Sequence, residues 1–76
     1  MRLVNLSPNF NRVDHQCASI WFSYDTPIAF AAYGEIVIRK NVWGSTTGKH
    51  LNAVCADKSV RIDGEIFENR LAQFVL

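Results

Sequence analysis

The sequence predicts an α+β domain: an antiparallel β-meander of at least three strands packed against one central helix, with a second helix at the C-terminus. Three observations predict it. Residues 18–40 show the two-residue alternation of half-buried strands, broken at Asp25-Thr26-Pro27 and Gly34-Glu35. Ser45-Thr46-Thr47 then offers three consecutive N-cap residues ahead of Leu51, Val54 and Cys55. Finally, Phe67, Leu71, Phe74 and Val75 fall at helical spacing.

Taken in order, residues 2–6 form a short strand that Ser7-Pro8-Asn9 ends as a turn. Residues 10–16 are polar with two apolar anchors, Phe10 and Val13, and read as an irregular connection. In the strand over 18–24, Ile20, Phe22 and Tyr24 share one face, and Trp21 and Ser23 the other. In the next, over 28–33, Ile28, Phe30 and Ala32 share a face. The third spans 36–40, with Ile36 and Ile38 facing in and Val37 and Arg39 facing out. Joints this short imply antiparallel neighbours. The central helix spans about 47–55 with Thr47 as its cap. Phe22, Phe30, Ile36, Ile38, Leu51 and Val54 are the expected core. Residues 59–62 are a short strand or extended link. Asp63-Gly64 reads either as a hairpin turn or as the start of the C-terminal helix, and the periodicity after it favours the helix.

With 76 residues there is room for one domain, 1–76. A domain this small buries only about 60% of its unfolded surface, so its stability margin is thin and a homodimer is one remedy. Eight basic and seven acidic side chains nearly cancel, which leaves weak whole-molecule attraction to nucleic acid or to an anionic membrane. No apolar run reaches the roughly 18 residues of a membrane-spanning helix, and residues 1–11 lack the apolar stretch of a signal peptide. The expectation is a cytoplasmic protein with no membrane partner, in which Cys17 and Cys55 stay reduced.

Phe22-Ser23-Tyr24-Asp25-Thr26-Pro27-Ile28-Ala29-Phe30, then Trp43, then Thr46-Thr47-Gly48-Lys49-His50-Leu51-Asn52, carry a resemblance. The pattern is similar to a family of small uncharacterised proteins of phages, plasmids and other mobile elements. They run SY-x-TPVA, a strand or two, then W-x-x-TT-x-KH, a hydrophobic residue and Asn. The resemblance implies a mobile-element origin and no particular chemistry. Residues 1–17 lie outside it.

Each candidate chemistry competes with a plainer reading. Gly44 to Lys49 resembles a phosphate-binding loop. That motif needs one more residue between the glycines and a Ser or Thr after the lysine, where this chain has His50. A capped helix start is the plainer reading, and an anion on the free amides there, helped by Lys49, is the weaker functional one. His15, Cys17, His50 and Cys55 do not make a zinc site, because positions 50 and 55 do not share a helix face. Cys17 beside His15 or His50 is the one nucleophile pair, and nothing in the sequence activates it. No metal, no cofactor and no enzyme activity are expected.

Trp21, Tyr24, Tyr33 and Trp43 are more large aromatics than one small core needs. They either cover the far face of the sheet or mark a binding surface. A helix that turns Leu51 and Val54 to the sheet turns Lys49 outward, with His50 at the boundary. Trp43, Lys49 and His50, with Arg39 beside them, are the candidate partner-binding residues. The expected function is a small non-enzymatic mobile-element protein that binds and occludes a host protein in the host cytosol, as a host-takeover or anti-defence inhibitor does. The alternative is a nucleic-acid-binding accessory protein using a local basic and aromatic surface at Arg39, Lys40 and Lys49.

Overall fold

The structure is a computed structural model that describes residues 2–15, 18–32 and 34–75, with 74 and 75 as backbone alone. Six strands form one sheet in chain order: β1 (Arg2–Ser7), β2 (Phe10–His15), β3 (Ala18–Ser23), β4 (Thr26–Ala32), β5 (Glu35–Arg39) and β6 (Arg61–Ile62). The first five pair antiparallel, as short joints require, and β6 lies parallel to β5. A parallel neighbour needs a crossover, and helix α1 (Ser45–Val54) supplies it. After β6 comes α2 (Gly64–Val75), the helix rather than the hairpin at Asp63-Gly64. A single 3₁₀ turn, Lys58–Val60, precedes β6. Among the described residues no helix is long and apolar enough to cross a membrane.

The architecture is therefore α+β, but larger than three strands against one helix. Residues 10–15, expected to be irregular, form the strand β2. It forms despite poor apolar alternation because pairing on both edges, with β1 and β3, holds it. Polar contacts assist: Ser19 Oγ donates to Asp14 Oδ1 at 2.7 Å, and Arg12 Nε lies 2.8 Å from the same oxygen. Gln16, Cys17 and Tyr33 lie outside the described residues, as do the side chains of Phe74 and Val75.

The sheet is covered on both faces. Phe10, Ile28, Ala29, Ile38 and Leu51 form one buried cluster, with Trp21, Val54 and Cys55 packed against it under α1. Phe30, Val37 and Phe67 form the other, with Ile20, Ile62 and Leu71, under α2. Ala29 pairs with Ile38 and Phe30 with Val37, so alternation sends the two clusters to opposite sides. The expected single core divides accordingly. Ile38, Leu51 and Val54 lie under α1, Phe30 lies under α2, and Phe22 is half-buried. Ile36 is 44% exposed, whereas Val37 and Arg39, expected to face out, are buried. The reason is α2, which gives the second face of β5 something to pack on.

Ile28 and Phe30 do not share a face either. The β3–β4 register runs Trp21 to Ala29 and then Phe22 to Pro27, which leaves Ile28 as an extra residue in a β-bulge. The bulge lets Ile28 and Ala29, adjacent in sequence, both pack under α1. Thr47 is not the cap of α1. Gly44 holds that position with no side-chain capping bond, and Thr47 points inward.

Two expectations follow. Phe67→Ala should lower unfolding free energy by about 3–5 kcal/mol, while Ile36→Ala should cost under about 1 kcal/mol. Chemical denaturation of both variants separates this two-faced core from a one-faced one, which ranks them the other way. The Ser19 hydrogen bond, then Arg12, hold the Asp14 carboxyl below its ordinary value of 3.8. A folded-state value below the unfolded one stabilises at pH above the unfolded value and is lost as pH falls through the folded one. Asp14→Asn should therefore reduce the loss of melting temperature on acidification.

Candidate functional site

Helix α1 turns Thr47, His50, Leu51 and Val54 toward the sheet, at i, i+3, i+4 and i+7. Two of these four are polar, and both find a partner on β3. Ser23 Oγ lies 2.7 Å from His50 Nδ1 and 3.0 Å from Thr47 Oγ1. A hydroxyl donates one hydrogen bond and accepts others. With Nδ1 unprotonated, Ser23 donates to the ring and accepts from Thr47. With Nδ1 protonated, the ring donates to Ser23. Either arrangement satisfies the three groups where water is excluded: Ser23 is 2% and His50 7% exposed. The imidazole also stacks on Phe10, centroids 4.6 Å apart and planes within 5°.

The network floors a small cleft. Ser23, Ile28 and Thr47 lie at its base, Tyr24, Thr26 and Trp43 also line it, and its volume is about 190 Å³. Small-molecule and cofactor sites usually run from about 300 to 1,000 Å³, so this space suits a single side chain. Tyr24 and Trp43 are exposed, and Val42 beside Trp43 is exposed too. Tyr24 takes a left-handed backbone, φ +57°, which is uncommon for a bulky residue. Its amide donates to Asn9 O at 2.7 Å, tying the β3–β4 turn to the β1–β2 turn. Its ring lies 6.4 Å from that of His50.

Trp43 is 43% exposed and has its own support. Asn41 Oδ1 accepts from the Trp43 amide at 2.9 Å, while Asn41 Nδ2 donates to Gly44 O at 3.2 Å. The Arg39 guanidinium lies 4.6 Å from the Trp43 ring centroid and 5.7 Å from that of Phe67. Glu68 Oε1 accepts from it at 3.4 Å. Gly64 passes so close that a Cβ there would lie 2.9 Å from Arg39 Cζ. Arg39 is thus a 7% exposed cation between two rings, a favourable desolvated arrangement.

Of the four residues the sequence singles out, Trp43 and Lys49 are exposed and Arg39 and His50 are buried. The structure joins Arg39 to Trp43 and places His50 under Tyr24. Tyr24 was one of the aromatics expected to cover the sheet or mark a binding surface, Thr47 was expected only as a cap, and Ser23, Thr26 and Ile28 were not expected at a site. Thr47 had a usable signal, since positions 47, 50, 51 and 54 make one helical stripe. The pairing with Ser23 across 24 positions had none. Among the described residues no three of His, Cys, Asp and Glu gather as metal ligands. Cys17, the candidate nucleophile, lies outside the described residues.

The fold and cleft define a class: a small α+β domain with a covered sheet, a buried hydroxyl–imidazole network and an aromatic-rimmed cleft above it. Residues 4–69 match a family whose description is "Family of unknown function (DUF8033)", and the chain belongs to that family. No curated protein and no solved structure matches the chain.

Removing the centre of the network tests its weight. Ser23→Ala should cost about 1–3 kcal/mol, because it strands the buried partners on Thr47 and His50. A thermal melt within experimental error of wild type would show that the network contributes nothing.

Proposed function

We propose that this chain is a small non-enzymatic accessory protein of phage or other mobile-element type that binds and occludes a host protein in the host cytosol. The observation that carries the reading is the cleft: room for one side chain, rimmed by exposed Trp43 and Tyr24. A buried aromatic or aliphatic anchor in such a pocket is how protein interfaces concentrate their affinity. In this reading Trp43 and Lys49 touch the partner. Arg39 and His50 act from below, one holding the Trp43 ring and the other lying under Tyr24. The left-handed Tyr24 backbone fits the same picture, since strain tends to gather at binding sites. Pro27, three residues further on, fixes its own φ near the start of β4.

Three features favour a non-enzymatic role. Ser23, the hydroxyl beside the imidazole, is sealed at the base of the cleft. Among the described residues no carboxylate hydrogen-bonds His50, so the ring lacks the orienting group of a catalytic triad. The cleft is also small for a substrate. The alternative, a nucleic-acid accessory protein using Arg39, Lys40 and Lys49, is weakened because Arg39 is buried.

The test is affinity capture from host lysate, with and without nuclease, using wild type, Trp43→Ala and Lys49→Glu. The expected result is a retained host protein that Trp43→Ala loses, with affinity falling at least about tenfold, or 1.4 kcal/mol. Lys49→Glu should weaken capture while its melting temperature stays near wild type, as an exposed change does. Capture unchanged in both variants, or abolished by nuclease alone, overturns the reading.

A further inference from the structure

On the β6 side, α1 borders a second concavity that the proposed partner surface does not use. It is lined by Lys40, Asn41, Gly48, Asn52, Lys58 and Arg61, with a volume of about 370 Å³. Three of the six are cations, two are amides, and none is a carboxylate. The near-neutral chain therefore concentrates positive charge in one concave place, where low-dielectric walls focus the field.

The lining is partly pre-positioned. Arg61 Nη2 donates to Asn52 Oδ1 at 2.8 Å and reaches Cys55 O at 3.4 Å, which fixes the guanidinium against α1. Its Nε is buried and has no acceptor among the described residues. Because Asn52 accepts from Arg61 through its oxygen, its amide hydrogens remain to donate. Gly48 keeps the wall open: a Cβ there would lie 3.1 Å from Asn41 Nδ2. Glycine within a helix is about 1 kcal/mol less favourable than alanine, so its presence here runs against local preference.

Two acids stand near. Asp63 holds Lys40 at 3.1 Å, but both side chains are largely exposed, and such pairs contribute little and exchange readily. The Asp57 carboxylate accepts from the Ser59 amide and hydroxyl at 3.0 and 2.6 Å, which commits it to its own turn.

We infer that this groove binds a phosphate group, carried either by a small anion or by a phosphodiester. Arg61 supplies a fixed planar donor, Lys40 and Lys58 supply mobile point charges, and the two asparagine amides complete a set of donors. The inference does not rest on the protein-partner reading, since it uses neither Trp43 nor Lys49.

The experiment is an amide-resolved NMR titration of the full chain with inorganic phosphate, pyrophosphate and a mixed-sequence single-stranded oligonucleotide. Each is compared with sodium chloride at equal ionic strength. Saturable shifts at Gly48, Asn52, Lys58 and Arg61 are expected. Saturation by the mineral anions identifies a small-anion site, and saturation by the oligonucleotide alone identifies a phosphodiester site. Lys58→Gln, an exposed change on a surface turn, should weaken binding about tenfold through loss of one charge-assisted contact. Arg2→Gln removes the same charge from the opposite edge strand and should change it less than about twofold. No saturable shift with any probe, or equal weakening by the two variants, overturns the proposal.

Discussion

Strand β5 is packed from both sides, and each helix owes its place to one of its faces. Ile38 meets Leu51 of α1, while Val37 meets Phe67 of α2. A strand buried on both faces carries adjacent apolar residues in place of alternation, as Val37-Ile38 does. The far side also takes Arg39, which survives burial because its charge sits between two rings and reaches Glu68 at the surface. Without α2 that cation and Val37 would face water. Without α1 there is no crossover to bring β6 alongside β5.

The same economy shapes the polar interior. Helix α1 is anchored by apolar and polar contacts together, combining Leu51 with two polar contacts to Ser23. Such a network is costly when half-satisfied and specific when complete. Its members reach β3 only in the register where Ser23 faces α1, so it helps to fix which residues of the β3–β4 turn stand above it. That is how Tyr24 and Thr26 come to share a cleft with Trp43.

Helix α1 also separates the two concave surfaces. Thr47 lines the aromatic cleft, and Gly48 and Asn52 line the basic groove. The segment entering the helix touches both, through Trp43 on one side and Asn41 on the other, and the bond from the Trp43 amide to Asn41 Oδ1 links them. An aromatic-rimmed, side-chain-sized cleft and a cationic groove therefore flank one short helix.

The sequence by itself determined the local elements. The alternation around Ile20 to Phe22, a tight turn beside Asp25 and the spacing of Phe67 and Leu71 depend on neighbours within a few positions, and local chemistry is enough to read them, although the turn falls at Tyr24-Asp25 and leaves Thr26 and Pro27 in β4. The tertiary structure decided what long-range contact decides. It made residues 10–15 a strand, because ladder bonds from both neighbours outweigh poor alternation. It placed the bulge at Ile28, which no residue type announces. It turned Thr47 from a cap into an interior partner of Ser23, and drew Arg39 and His50 inward to rings and hydroxyls contributed by other elements. Which face of a strand or helix is buried depends on what covers it, and what covers it is set by the whole chain closing on itself.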